Sequence, residues 1–290
     1  MRPAHVVEIE TPKKYFLNAL WFGPKRPKRT ILWVHGLSSS MFSKLDIVEH
    51  LVDKETAVLV FNNRGHDNVA RISNASGKRL IAGAAYERFE DCVDDIQGAV
   101  NFAKRQGSKD LYIVGHSTGC QKAAFWAIKN GEKKGSIVRG IVLLAPGSDY
   151  AGMLVKYGLP RLRHMQAIAK SMIKSDREQD FVRAKFWTDQ PNTPQRFLSL
   201  YTADSIEQSI FSYFDPKRSA RLLKKVKLPM LVVFGDKDEY IDRPAREILE
   251  WFEKNTAAPL LTLLARGSTH GFKGDEKQIA KAIKSWIVKK

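Results

Sequence analysis

Eight short apolar runs recur along the chain, at residues 6–10, 15–21, 31–34, 57–62, 111–115, 140–145, 230–234 and 260–264. The last six are near-continuous stretches of Val, Ile, Leu, Ala, Phe and Met, the pattern of strands buried on both faces, and helix-period segments separate most of them. A mostly parallel sheet covered by helices on both faces satisfies both observations. The first two runs are separated only by Thr11-Pro12-Lys13-Lys14, so they read as an antiparallel hairpin at the start of the sheet.

The helical segments carry their own end signals. Residues 86–105 place Phe89, Val93, Ile96, Val100 and Ala103 at helical spacing, with acids early, Lys104-Arg105 late and Gly107 as the stop. Residues 118–129, 244–254 and 276–288 repeat this logic, and Pro244 suits a first turn. A further helix is expected over 41–51, with one of Ser38, Ser39 and Ser40 as its N-cap.

Residues 149–215 break the rhythm. The segment is too long for a connection, lacks a strong strand, and is interrupted by Pro160, Pro191 and Pro194. Its Tyr150, Met153, Leu154, Phe186, Trp187, Phe197 and Tyr201 are too apolar for a disordered linker. It is expected to be a helical cap or lid, inserted into a core domain made of 1–148 and 216–290. Within it, 162–173 forms an amphipathic helix with Met165, Ile168, Ala169 and Met172 on one face.

With 290 residues, 43% of them hydrophobic, the chain can bury a core without disulfide or metal staples. Its two cysteines, Cys92 and Cys120, form no framework, and the N-terminal residues lack a signal peptide's apolar run. A cytoplasmic, soluble protein without a membrane span is expected. The net charge of +17 sits largely in two runs, Lys25 to Arg29 and Lys217 to Lys227, which read as solvated connections. No nucleic-acid-binding motif accompanies them, so no specific nucleic-acid partner is expected. Neither a cofactor nor a metal is implied, and oligomeric state leaves no trace in the sequence.

The chemistry concentrates at three strand ends. Gly115-His116-Ser117-Thr118-Gly119 follows one apolar run and opens a helix, the strand-turn-helix context in which G-x-S-x-G presents a nucleophilic serine. Small residues on both sides let strand and helix approach closely, and the helix N-terminus stabilises negative charge beside Ser117. Asp236 and Asp238 follow the seventh run, and His270 follows the eighth. In a parallel sheet these positions share one edge, where ligands of open α/β sheets bind. His116 is expected to pack beneath the turn.

With these residues in place, the chain resembles the α/β-hydrolase-fold superfamily over nearly its whole length, and its serine esterase and lipase-like members in particular. The resemblance implies Ser117 as nucleophile, His270 as general base and acid, and an aspartate that orients His270. The family's Gly-x-x-Asp spacing gives Asp238, with Asp236 the alternative, and Asp242 reads as a helix cap. His35-Gly36-Leu37 resembles the His-Gly turn of the family, which implies an oxyanion hole built from the backbone N–H groups of Leu37 and Thr118. Asn62-Asn63-Arg64-Gly65-His66 is similar to the family's Arg-Gly turn, with Arg64 bracing loops and His66 or Asp67 able to face the pocket.

The reaction implied is hydrolysis of a small-molecule carboxylic ester through an acyl-enzyme. Thioesterase, amidase, acyltransferase and carbon–carbon hydrolase chemistry use the same triad, and a slow or non-hydrolytic ligand receptor can share the fold. The run 115–121, Gly-His-Ser-Thr-Gly-Cys-Gln, also resembles a branch that includes fungal siderophore ester hydrolases.

Overall fold

A computed structural model of the chain describes residues 3–182 and 190–288. Strands β1 (Ala4–Glu10) and β2 (Tyr15–Phe22) pair antiparallel across the 11–14 turn, where Lys14 takes a left-handed backbone conformation. Next come β3 (Arg29–Val34), β4 (Thr56–Phe61), β5 (Ala70–Asn74), β6 (Arg79–Ala82), β7 (Asp110–His116), β8 (Val138–Leu144), β9 (Met230–Gly235) and β10 (Leu260–Ala265). They form one sheet in the order β10-β9-β8-β7-β3-β4-β2-β5-β6, with β1 on β2.

All eight expected runs are strands. From β10 to β4 the pairing is parallel, and beyond β4 it is antiparallel. Every residue of β4 and β9 is buried, as helices on both faces of the sheet require. The hairpin β5-β6 extends the eight to ten. Its strands bury only Ile72 and Ala82, so they carry no apolar alternation that a sequence pattern could detect.

Helices α1 (Leu45–Leu51), α2 (Cys92–Arg105) and α3 (Thr118–Asn130) cover the first half of the sheet. Four more, α4 (Asp149–Tyr157), α5 (Leu159–Lys174), α6 (Pro194–Tyr201) and α7 (Ile206–Ser209), lie in the segment between β8 and β9. Helices α8 (Ala245–Asn255) and α9 (Glu276–Val288) complete the fold. α1 packs on α9, and α2 on α3.

Two helices start later than expected. The segment expected from residue 86 becomes helical only at Phe89, as a 3₁₀ turn over Phe89–Asp91 that leads into the α-helix at Cys92, because Arg88 is extended and Glu87 is tied to buried cations. α1 starts at Leu45 behind a left-handed Lys44, so Ser38, Ser39 and Ser40 do not cap it.

Most of the buried apolar side chains form one core around the sheet. A second, smaller core belongs to the segment between β8 and β9. There Leu162, Met165, Ala169 and Met172 of α5 pack with Phe197, Leu200 and Tyr201 of α6. Side-chain caps set the breaks between these helices. Ser148 accepts from Ala151 N–H, Thr193 from Arg196 N–H and Ser205 from Gln208 N–H. Phe186 and Trp187 lie outside the described residues. Among the described residues no helix is long and apolar enough to cross a membrane.

Candidate active site

The turn from β7 to α3 is strained at one residue. Ser117 sits at φ 55° and ψ −128°, a left-handed region that L-residues adopt at a cost of about 1–3 kcal/mol. Close packing holds it there. A Cβ at Gly119 would stand 2.2 Å from the Val34 carbonyl oxygen, and one at Gly115 would stand 2.3 Å from that of Gly119. Ser117 N–H donates to the Leu144 carbonyl at 2.9 Å, so neighbouring strands hold the turn on both sides. The side chain of Ser117 is half-buried, and among the described residues its Oγ has no hydrogen-bond partner.

His270 arrives from the turn after β10. Its Nδ1 lies 2.9 Å from both carboxylate oxygens of Asp238, whose side chain is fully buried. Asp238 Oδ1 also accepts from Tyr240 N–H at 3.0 Å. Asp236, by contrast, is exposed and accepts from Gly267 N–H at 2.6 Å. Two residues of offset thus separate a carboxylate on the histidine from one that ties two loops together. Asp242 pairs with Arg243, and α8 has no side-chain cap, so the expected capping role of Asp242 is not present.

The His270 loop is braced from several sides. His116 Nε2 lies 3.0 Å from the His270 carbonyl, and burial followed by the nearby His270 lowers the His116 pKa to about 3. His116 is therefore neutral, and its Nε2–H donates to that carbonyl. Glu239 accepts from His270 N–H, Lys44 Nζ donates to the Gly271 carbonyl at 2.7 Å, and the Tyr240 ring stands edge-on to the imidazole at 4.8 Å.

The third piece comes from the loop after β3. A Cβ at Gly36 would stand 2.9 Å from Ser117 Cβ, so the 36–37 turn lies against the serine. Neither Leu37 N–H nor Thr118 N–H has an acceptor among the described residues. Leu37 also touches the smaller core of α5 and α6. His66 Nδ1 is bonded to the Asn63 carbonyl. Arg64 is a brace, donating to Asp94 and Asp95 at 2.9 and 2.7 Å.

A buried ionic cluster lies near the β7–α3 turn, here called the elbow, and sequence patterns did not single it out. Lys122 of α3 pairs with Glu87 at 2.5 Å. Glu87 pairs with Arg196 of α6 at 2.9 Å, and Arg196 pairs with Glu207 of α7 at 2.6 Å. Burial alone would raise the Glu87 carboxyl, yet Lys122 and Arg196 together hold it below its usual range. The signal available was Lys122 set among Gly119, Cys120, Ala123, Ala124 and Phe125, the small and apolar residues of α3. A cavity of about 370 Å³ opens beside this cluster, lined by Glu87, Lys170, Leu198 and Ser199 among others. None of Ser117, Asp238 and His270 borders it.

Comparison with known families returns one match. The family described as "Protein of unknown function (DUF1749)" matches residues 82–290, about three quarters of the sequence. The chain belongs to the DUF1749 family. The span of this DUF1749 chain that matches contains Ser117, Asp238 and His270, but not Leu37. No curated protein matches it.

Among solved structures, the DUF1749 chain is similar to the siderophore hydrolase EstB from Aspergillus fumigatus, at 16% identity and a TM-score of 0.71 over 99% of this chain and 98% of that one. Est1E from Butyrivibrio proteoclasticus with bound ferulic acid is similar at 18% identity and 0.64, covering 98% of each. The carboxylesterase CesB from Bacillus subtilis is similar at 13% identity and 0.56, covering 98% and 92%. These likenesses establish the α/β-hydrolase fold.

Proposed function

We propose that this DUF1749 chain is a serine hydrolase of carboxylic esters. The observation that carries the proposal is the pairing of His270 Nδ1 with both oxygens of buried Asp238, at the sheet edge that holds the strained Ser117. A carboxylate on Nδ1 fixes the tautomer that leaves Nε2 free to accept a proton. Ser117 Oγ attacks the ester carbonyl while its proton passes to His270 Nε2. The N–H groups of Leu37 and Thr118 receive the oxyanion, a contribution of about 10²–10³ in turnover per donor. His270 then protonates the departing alcohol, and water, activated by His270, releases the acid from Ser117. One of the similar structures is named a carboxylesterase and another a siderophore hydrolase, which supports an ester as the bond cleaved.

Residues 149–215 serve in this reading as the cap over the core of 1–148 and 216–290. Leu37 against the α5–α6 core supports this role, because it brings the cap's apolar side chains next to an oxyanion donor. The aromatic and aliphatic residues of the cap form the pocket for the acyl or alcohol group.

The test is hydrolysis of p-nitrophenyl esters of increasing acyl length. Ser117→Ala and His270→Ala are each expected to lose at least roughly 10³-fold in kcat, and Asp238→Asn to lose far more than Asp236→Asn. Near-normal activity in Ser117→Ala would refute the nucleophile. Failure of the wild type on every ester would redirect the reading to thioesters, amides or carbon–carbon bonds.

A further inference from the structure

The turn after β9 fixes one aromatic residue at both ends of its backbone. Tyr240 N–H donates to Asp238 Oδ1 at 3.0 Å, and its carbonyl faces α4, where a Cβ at Gly152 would stand 3.1 Å from that oxygen. The Tyr240 ring packs on His270, with centroids 4.8 Å apart and planes at 68°. The rest of the side chain meets solvent. Tyr240 is 66% exposed, and among the described residues it and Phe42 are the aromatic side chains left mostly open.

The other sides of the imidazole are taken. Nδ1 belongs to Asp238, and the buried His116 ring of the elbow lies 5.2 Å away. The His270 side chain keeps only 14% exposure. Tyr240 is thus the exposed neighbour of a nearly covered imidazole.

The chemistry of the bond cleaved determines which half of an ester meets this ring. The proton taken from Ser117 Oγ goes from His270 Nε2 to the alkoxy oxygen as that oxygen's bond to the carbonyl carbon breaks. The alcohol portion therefore lies within hydrogen-bond reach of His270, whereas the acyl carbon is bonded to Ser117. A side chain packed on the imidazole serves the alcohol side.

We propose that Tyr240 is a specificity-determining residue, a preset aromatic platform by which this chain selects esters of alcohols that carry an aromatic ring. The inference rests on the Ser117–His270 reading above and adds the half of the substrate which that reading leaves open. Aromatic rings about 4.5–7 Å apart gain from edge-to-face or offset stacking beyond the area they bury. A ring already held against His270 also loses little freedom when a ligand covers it. A saturated ring of the same size gains from the area alone.

The test compares benzyl butyrate with cyclohexylmethyl butyrate, each hydrolysed by wild type, Tyr240→Phe and Tyr240→Leu and followed by pH-stat. The two alcohols have the same number of carbons and similar basicity. Both esters leave the same butyryl group on Ser117, so the ratio of their kcat/KM values reports acylation alone. Wild type is expected to favour the benzyl ester by about three- to tenfold. Tyr240→Phe, which keeps the ring, should hold that ratio, and Tyr240→Leu should bring it to roughly one. Both substitutions fall on an exposed side chain and keep the backbone N–H that donates to Asp238. A ratio near one in wild type, or a folded Tyr240→Leu protein that retains the wild-type ratio, would overturn the proposal.

A second arm needs no turnover. Benzyl alcohol, the product, is titrated into the free protein while the His270 imidazole is followed by NMR. Ring-current shifts are expected in wild type and Tyr240→Phe, and their loss in Tyr240→Leu. No shift in wild type, or an equal response in Tyr240→Leu, would refute the aromatic platform. If wild type cleaves no ester, the esterase reading fails while this arm still decides the role of Tyr240.

Discussion

Arg196→Met removes the cation that joins the helical segment between β8 and β9 to the sheet core. Arg196 has no exposed side-chain surface. Its Nη1 lies 2.6 Å from one Glu207 oxygen, and its Nη2 lies 3.3 Å from the other and 2.9 Å from Glu87. Without it Glu207, also fully buried, keeps only the Ser199 hydroxyl at 2.7 Å, whereas Glu87 keeps Lys122. Orphaning one member of a buried pair costs about 3–5 kcal/mol. Methionine refills most of the arginine stem, so the cavity contribution is small and a loss of about 4 kcal/mol is expected.

Urea unfolding measures this loss as a lower midpoint at unchanged slope. Two internal controls follow from the geometry. Protonation relieves an orphaned carboxylate, so the deficit should shrink between pH 8 and pH 5. Arg196→Met with Glu207→Leu should also recover most of the loss, because replacing both members of a buried pair is close to neutral. A single-variant cost below about 1 kcal/mol, or a deficit independent of pH, would refute the assignment of this cluster as a structural clamp.

Two further outcomes follow from the same close packing. Gly119→Ala drives a methyl group to 2.2 Å from the Val34 carbonyl, and a rigid strand cannot yield that distance. The variant should be insoluble or show a markedly lowered unfolding midpoint, and a wild-type midpoint would mean that the elbow is looser than described. Burial, then Lys122 for His35 and His270 for His116, lowers both histidines to about 3. Both gain protons on unfolding, so the stability they contribute is complete above their unfolded value of 6.5 and is lost as pH falls toward 3. The unfolding free energy should drop by up to roughly 3 kcal/mol per pH unit between about pH 6 and 4. A flat urea midpoint down to pH 5 would contradict the burial of these two rings.

The sheet was legible because five central strands, β3, β4, β7, β8 and β9, bury both faces, and burial on both faces writes itself into sequence as near-unbroken Val, Ile and Leu. The hairpin β5-β6 was not, since its contacts are backbone bonds that any residue can make. The elbow was legible for a related reason: only glycine fits at 115 and 119, and two such sites around a serine leave a pattern. Asp238 and Asp236 could be ordered only by the family spacing, and their separation rests on which one the backbone turns inward. Glu87, Lys122, Arg196 and Glu207 lie up to 120 residues apart. Their pairing is set by how the helices between β8 and β9 pack on the core, and no local pattern carries that information.

The order of strands in the sheet also dictates an order of events during synthesis. β3 lies between β4 and β7, so the hydrogen-bonding edge that β7 will occupy stays open while some 75 residues are added. The carbonyls of Val34 and His35, against which Gly119 seats, wait for a helix still to be translated. His270 is carried by the last loop of the sheet, and Lys44, near the start, holds it through Gly271. Distant pairing of this kind slows folding. If the proposed serine-hydrolase reading holds, catalytic competence would be the last property acquired on the ribosome, because a nascent chain stalled before residue 270 would carry Ser117 without His270.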